Sequence, residues 1–227
     1  MLALLHTSPA HVPVFEALRE EHHPGLELRH LVDEELLARA RREGPEAVAA
    51  EVRAALGVAV ADGARAVLCT CSTIGGVAEA AGAEVGVRVL RSDRPMAAAA
   101  VAAGSRIVVL ATVESTFGPT VSLIEEEARR AGRPVEVRTR LVEGAWERFE
   151  AGDAEGCARL VADVIDTFVD DTDAIVLAQG SMAPAERLAA TSLPVLSSPR
   201  GGLAAGAEAV RGGGAEGRPA PSRPAGR

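Results

Sequence analysis

The 227-residue sequence contains no lysine, no asparagine and no tyrosine, and aromatic residues make up only 2% of it. Without lysine the chain cannot form the Schiff base of pyridoxal-phosphate enzymes or lysine aldolases, and it cannot supply the lysine of a Walker A phosphate loop. The 24 basic residues are all arginines, and 32 acidic residues give a net charge of −8. This charge, with so few rings to stack on bases, argues against nucleic-acid binding.

Cysteines are few, and long apolar runs are absent. Cys69, Cys71 and Cys157 form neither a disulfide framework nor a set with metal-ligand spacing, which predicts a reducing, cytoplasmic location and no metal centre. No apolar stretch approaches the roughly 20 residues of a membrane span. The first residues also lack the basic segment of a signal peptide. We therefore expect no membrane partner.

Apolar residues make up 48% of the sequence, which is enough for a core built from Ala, Val, Leu and Ile. Short β-type segments alternate with helical segments, and this alternation is typical of an α/β protein with mainly parallel sheets. The predicted strands are 3–5, 26–30, 66–69, 87–90, 106–111, 135–140, 174–178 and 194–196. The predicted helices are 14–21, 45–61, 119–131 and 155–169.

The two halves of the sequence repeat each other at a spacing of about 105 residues, so that segment 26–29 aligns with 135–138 and segment 66–71 with 174–179. This repeat predicts two similar α/β lobes related by internal duplication, with the active site in the cleft between them. The alternative is a single doubly wound sheet. The first lobe is predicted to consist of residues 1–95, with residues 195–211 returning to it, and the second lobe of residues 96–194. Residues 212–227 are rich in Gly, Pro and Arg and are predicted to form a disordered tail.

Small hydroxyl side chains follow the predicted strands, at the edge where parallel sheets bind ligands. The candidate substrate-binding residues at these positions are Thr7, Ser8, Ser72, Thr73, Thr112, Thr116, Gln179, Gly180 and Ser181. Together with the backbone N–H groups at the following helix N-termini, they suit a small carboxylate ligand. Each hydroxyl taken alone is also explained as an ordinary helix cap.

Cys71 is the candidate catalytic residue, because it lies where a strand turns into a helix whose N-terminus favours a thiolate. Cys69 and Cys157 are predicted to be core residues. His6 follows the first strand, and it is expected either to pair with Cys71 as a base or orienting group or to cap the strand end. The other four histidines show no ligand spacing and are expected at the surface.

The order of these segments resembles the aspartate/glutamate/hydantoin racemase superfamily over nearly all of residues 1–205. The resemblance is carried by segments 70–73, 110–112 with Thr116 and Pro119, 176–182, and 194–199. It implies two similar α/β lobes, a cleft between them and no cofactor. It also implies a pair of cysteines, one from each lobe, of which one removes a proton from the substrate carbon and the other returns a proton from the opposite face.

By this resemblance Cys71 corresponds to the first-lobe cysteine, Ser72 and Thr73 to the substrate-holding residues beside it, and Thr112 and Thr116 to hydroxyls that bind the carboxylate. The second-lobe cysteine falls on Gln179, or on Gly180 if the alignment shifts by one. Neither side chain is an acid or a base, so two-thiol racemisation is in doubt. Chemistry would then be one-sided, unless an acid such as Glu114 or Asp93, or a bound water, reaches the opposite face.

The predicted function is therefore a cofactor-independent enzyme of the racemase and isomerase type, acting on a small carboxylate such as an amino acid, with Cys71 as the acid/base. Two alternatives stay open, namely a single-cysteine decarboxylase or lyase and a catalytically silent carboxylate-binding protein. A redox role for Cys69 and Cys71 ranks last, because a disulfide between such near neighbours would be strained. Assembly into a homo-oligomer is left open.

Overall fold

The computed structural model describes residues 1–168 and 171–212. Within these ranges the protein contains two four-stranded parallel sheets. The first sheet has the order β2-β1-β3-β4 and consists of β1 (Leu2–His6), β2 (Leu28–Val32), β3 (Ala66–Cys69) and β4 (Arg88–Arg91). The second has the order β6-β5-β7-β8 and consists of β5 (Arg106–Ala111), β6 (Glu136–Leu141), β7 (Ala174–Leu177) and β8 (Val195–Ser197). The predicted fold class, two α/β lobes with parallel sheets, is confirmed.

Nine α-helices cover the faces of these sheets within the described ranges. They are α1 (His11–His22), α2 (Glu34–Glu43), α3 (Ala49–Ala61), α4 (Ser72–Val85), α5 (Arg94–Ala103), α6 (Phe117–Ala131), α7 (Ala145–Glu150), α8 (Ala154–Ile165) and α9 (Ser198–Gly212). Short 3₁₀ segments lie at Pro45–Val48, Glu114–Thr116 and Gly180–Arg187. Of the helices in the described part of the chain, none combines the length and the apolar character that crossing a bilayer requires.

The central strands of both sheets are buried on both sides, because the helices of parallel βαβ units cover both faces. Every residue of β1, β3 and β7 is buried, and so is β5 after its first residue. The edge strands β2 and β6 are only half-buried. The core is therefore made mainly of Ala, Val, Leu and Ile, as the scarcity of aromatic residues predicts.

The segment 195–212 contains one strand and one helix, which belong to different lobes. We expected 195–211 to return to the first lobe, but β8 pairs with β7 and so belongs to the second sheet. This expectation is wrong for the strand, because β7 offers a free edge on which Val195–Ser197 completes its hydrogen bonds. Only α9 packs on the first lobe, where Leu203 joins Leu2 and Leu4 in one apolar cluster. The predicted tail lies outside the described residues after Gly212.

A cluster of charged residues joins the lobes on the side of α5. The guanidinium of Arg94 bonds Glu79 on α4 in the first lobe and both Glu126 and Glu127 on α6 in the second. The bond from Arg94 Nη1 to Glu126 Oε1 measures 3.1 Å, and the Arg94 side chain is 18% exposed. Because this burial weakens screening by water, the cluster is a stronger tie than an exposed ion pair.

Close packing of α9 predicts how a small substitution affects stability. A Cβ on Gly202 would lie 2.6 Å from Ser92 Cβ and 2.7 Å from its backbone oxygen. We expect Gly202→Ala to lower the free energy of unfolding by about 1–3 kcal/mol, because α9 must shift. In α3 a Cβ on Gly57 meets nothing within 4 Å. Gly57→Ala should therefore stabilise by about 0.5–1 kcal/mol, through helix propensity alone.

Urea unfolding followed by circular dichroism measures both variants against the wild type. The two substitutions add the same methyl group to a helix, so their difference isolates the contact with Ser92. A Gly202→Ala variant as stable as Gly57→Ala would contradict the packing of α9 described above.

Candidate functional site

A cavity of about 80 Å³ lies between the lobes, where the carboxyl ends of strands from both sheets meet. The predicted site residues that line it are Thr7, Ser8, Cys71, Ser72, Thr73, Thr116, Gln179, Gly180 and Ser181. A second cavity of about 500 Å³ lies beside the first and shares Arg41, Ser72 and Thr73 with it. The strand ends thus bring together side chains that are far apart in the sequence, as the fold class predicts.

Cys71 lies between β3 and α4, at the N-cap of the helix. Its backbone is extended, with φ −109° and ψ 117°, and its side chain is partly exposed to the cavity. The unpaired N–H groups of the first helical turn start at the next residue, and that turn contains no acidic side chain. Ser72 Oγ donates to the carbonyl oxygen of Ala178 at 3.1 Å, so this turn also contacts the second lobe.

The other two thiols are shielded from the cavity. Cys69 and Cys157 are each 1% exposed, and all three cysteines are free. Burial raises the pKa of the Cys69 thiol, with a further contribution from Cys71, and burial followed by the charge of Asp153 raises that of Cys157. Cys71 is therefore the thiol that solvent and ligands reach.

Gln179 occupies in the second lobe the position that Cys71 has in the first. It follows β7 by two residues, as Cys71 follows β3, and it precedes the 3₁₀ turn Gly180–Arg187. Its Oε1 accepts hydrogen bonds from the backbone N of Thr112 at 2.7 Å and from Thr112 Oγ1 at 3.1 Å. Thr112 was predicted to bind a carboxylate, but it is absent from the cavity lining and instead fixes the orientation of the Gln179 amide.

His6 does not pair with Cys71, so this part of the prediction is wrong. The His6 side chain is fully buried inside the first lobe, and Thr70 Oγ1 and His30 Nδ1 each lie 2.8 Å from one of its ring nitrogens. Burial, followed by the charges of His30 and His11, lowers the pKa of His6 to about 3. The imidazole is thus neutral and fully engaged.

These bonds belong to a chain that runs from the surface to the cavity. Glu16 on α1 bonds His30 Nε2 at 3.0 Å, His30 bonds His6, and His6 bonds Thr70, which lines the cavity beside Cys71. His30 was expected at the surface, but its side chain is only 15% exposed. In the pairing of β1 with β2, His6 lies opposite Val32. Because side chains alternate along a strand, His30 points to the same face of the sheet as Val32 and therefore lies beside His6.

Besides Thr70, five residues that were not predicted as site residues line the cavity. They are His11, Leu37, Arg41, Trp146 and Phe149. Arg41 lies over the ring of Trp146 at 5.7 Å, and that ring stacks on Phe149 at a centroid distance of 5.7 Å. These side chains come from α1, α2 and α7, which reach the cleft from the side. The only available signal was that Trp146 is the single tryptophan of the chain.

Asp93 and Glu114, the acidic residues considered for the substrate face opposite to Cys71, do not line the cavity. Asp93 makes two hydrogen bonds of 2.9 Å with Arg91, and both side chains are buried. Glu114 is exposed on the 3₁₀ turn before α6. Among the residues that the structure describes, no group of three or more His, Cys, Asp and Glu side chains is arranged to hold a metal ion.

The sequence matches the family model Asp/Glu/Hydantoin racemase over residues 5–205. The chain therefore belongs to the Asp/Glu/hydantoin racemase family, as the resemblance of its motifs predicts. In a comparison with curated protein sequences, none matches this chain.

Solved structures of several other proteins share this fold. A glutamate racemase isoform of Bacillus anthracis is 16% identical and superposes with a TM-score of 0.71, covering 94% of this chain and 82% of that one. An aspartate racemase homologue of Pyrococcus horikoshii is 14% identical, with a TM-score of 0.69 over 92% of this chain and 98% of that one. A glycine-to-cysteine mutant of arylmalonate decarboxylase is 20% identical, with a TM-score of 0.65 over 98% of this chain and 97% of that one.

The different exposure of the three thiols predicts their reactivity. We expect brief treatment with iodoacetamide to alkylate Cys71 well before Cys69 or Cys157, because alkylation requires an accessible thiolate and burial opposes both conditions at the other two residues. Peptide mapping by mass spectrometry after timed quenching measures the three rates. Equal labelling of all three residues would show that Cys71 is not the thiol open to the cavity.

The buried His6 predicts that the protein loses stability in acid. The unfolded chain takes up a proton near the ordinary histidine pKa of 6.5, whereas folded His6 stays neutral down to about pH 3. The contribution of His6 to the free energy of unfolding is thus at its full value above pH 6.5. It falls as the pH drops towards 3, by up to about 1.4 kcal/mol per pH unit. Urea unfolding at a series of pH values measures this slope.

His6→Gln removes the titrating group, so its free energy of unfolding should depend less on pH over that range. His23→Gln, at the end of α1 and outside the hydrogen-bonded chain, serves as the control and should keep the wild-type slope. An identical slope in wild type and His6→Gln would contradict a neutral, buried His6.

Proposed function

We propose that this protein is a cofactor-independent enzyme of the racemase and isomerase type, which moves a proton at the carbon next to the carboxylate of a small acid. Cys71 is the acid/base in this proposal. The observation that carries it is the placement of one accessible thiol at the N-terminus of α4, in a cavity formed by both lobes. Free cysteines and the lack of a spanning helix among the described residues fit the proposed cytoplasmic location.

The charged residues of the cavity lining favour the binding of an anion. No aspartate or glutamate is among its lining residues, although the chain carries 32 acidic residues, and the lining includes the guanidinium of Arg41. Hydroxyls of Ser72, Thr73 and Ser181 lie in the same lining, beside the first N–H groups of α4 and of the turn Gly180–Arg187. Such donors at helix starts bind a carboxylate and stabilise negative charge that develops on it during proton removal.

The names of the structural neighbours are consistent with an acid as substrate. They are racemases of glutamate, a homologue of an aspartate racemase and an arylmalonate decarboxylase, and each name refers to a compound with at least one carboxylate. In our proposal the substrate of this chain is an amino acid or a related small acid. The stacked rings of Trp146 and Phe149 belong to the same cavity lining and would contact the apolar part of this substrate.

Decarboxylation is the second candidate, because Gln179 stands where a second thiol would be. Loss of carbon dioxide from a malonate-type acid leaves a carbanion that a single thiol, Cys71, protonates, so this reaction needs one acid only. A protein that binds the acid without turnover is the remaining alternative. The three activities differ in what they do to a substrate in heavy water.

A panel of amino, hydroxy and malonic acids in deuterium oxide tests the proposal. We expect at least one acid to take up deuterium at the carbon next to its carboxylate, measured by proton NMR. Cys71→Ser should lower the exchange rate of at least one enantiomer of that acid by about 10²–10⁴-fold, since it removes the proposed acid/base. Cys157→Ser, a change of a buried thiol remote from the cavity lining, is the control and should retain exchange.

Release of carbon dioxide with deuterium incorporation would identify the decarboxylase instead. Binding of an acid without exchange or carbon dioxide release would identify the silent binding protein, and would contradict an enzymatic function. Exchange that is equal in wild type and Cys71→Ser would show that Cys71 is not the acid/base.

A further inference from the structure

His11 is placed beside the position of the missing second thiol. It begins α1 in the first lobe, yet its ring reaches the second lobe, where Cε1 lies 3.6 Å and Nδ1 3.9 Å from the point that a Cβ on Gly180 would occupy. Gly180 follows Gln179, the counterpart of Cys71. The imidazole therefore lies beside Gly180 of the second lobe and lines the same cavity as Cys71.

The His11 ring is free to take part in proton transfer. Within the described ranges, neither of its nitrogens has a hydrogen-bond partner in the protein, in contrast to His6 and His30. Its nearest aromatic neighbour is His6, at a centroid distance of 6.2 Å in an edge-on arrangement. An imidazole without a partner that faces a cavity is available to a ligand as either an acid or a base.

Burial of the His11 ring opposes its charged form. Burial lowers the pKa of His11 below its ordinary value. Of the titratable and charged groups near it, His6 at the end of β1 lies against its ring, and Arg41 on α2 and Cys71 before α4 line the same cavity, while Gly180 presents none. No carboxylate belongs to the cavity lining, so no acidic side chain there opposes this effect of burial.

We propose that His11 is the second acid/base of the reaction and acts on the substrate face opposite to Cys71. This inference rests on the proposed function, and it deepens that function by replacing one-sided chemistry with a thiol–imidazole pair. Gln179 then remains a polar group that binds the substrate, held in place by Thr112.

The proton transfers balance with one proton shared by the two groups. In one direction the Cys71 thiolate removes the proton from the substrate carbon, so the C–H bond breaks and an S–H bond forms. The His11 imidazolium then gives its N–H proton to the other face of the carbon, which leaves a neutral thiol and a neutral imidazole. The reverse reaction starts from that neutral pair and restores the ion pair, so both directions use the same total protonation.

Deuterium exchange with separate enantiomers tests this assignment. For an acid that the wild type exchanges, we expect exchange of both enantiomers together with their interconversion. Cys71→Ser should lose exchange of one enantiomer and His11→Gln that of the other, each by at least about 100-fold, and both should lose interconversion. His22→Gln, a change on the same helix but outside the cavity, is the control and should match the wild type.

An effect on folding alone would slow both enantiomers equally, so loss of exchange confined to one enantiomer separates a catalytic role from a structural one. If His11→Gln exchanges both enantiomers as the wild type does, the inference is overturned while the proposed function stands.

A second measurement needs no substrate. Alkylation of Cys71 by iodoacetamide, followed from pH 5.5 to 9, reports the ionisation of the thiol, and the ion pair of the reaction, in which His11 holds a proton while Cys71 is ionised, favours the thiolate. We expect His11→Gln to slow the alkylation by about threefold at pH 6–7, which corresponds to a displacement of about half a pH unit, and His22→Gln to leave it unchanged. Superimposed profiles for wild type and His11→Gln overturn the inference. If no acid exchanges with the wild type, the proposed function fails and this profile alone decides whether His11 and Cys71 act as a pair.

Discussion

Parallel pairing of the strands is the constraint on which the site depends. In each sheet all carboxyl ends point to the same edge, so the residues after β1 and β3 meet one another, and the residue after β7 faces them from the second lobe. Ser72 and the carbonyl oxygen of Ala178 join the two edges directly. The Arg94 cluster on the side of α5 adds a second contact between the lobes.

The strands could be predicted from the sequence because each central strand is a short apolar run with turn residues after it. Every predicted strand lies within two residues of an observed one, as with 66–69 and Ala66–Cys69. Helices were harder to predict, because their signals were local and weak. Asp33 caps α2 by accepting from the backbone of Glu35 and Leu36, but without the structure it reads as one more acidic residue in a charged stretch.

The site was predictable where it depends on strand ends and unpredictable where it depends on tertiary packing. Cys71 and Gln179 follow strands directly, so their places were evident from the order of elements. His6 also ends a strand, but whether its ring points into the cleft or into the lobe depends on the alternation of side chains, which the sequence alone left open. His11 enters from the side of a helix, and a single histidine at a helix start carries no signal of its own.

The two lobes share a topology, but the sequence has made their roles unequal. Both groups proposed to move protons, Cys71 and His11, come from the first lobe, whereas Gln179 and its neighbours in the second lobe provide hydrogen bonds. A change in the angle between lobes would therefore leave the thiol and imidazole in place and alter only how the substrate is held. Since the Arg94 cluster bonds α4 of the first lobe to α6 of the second, we expect its loss to affect substrate binding more than the proton transfers themselves.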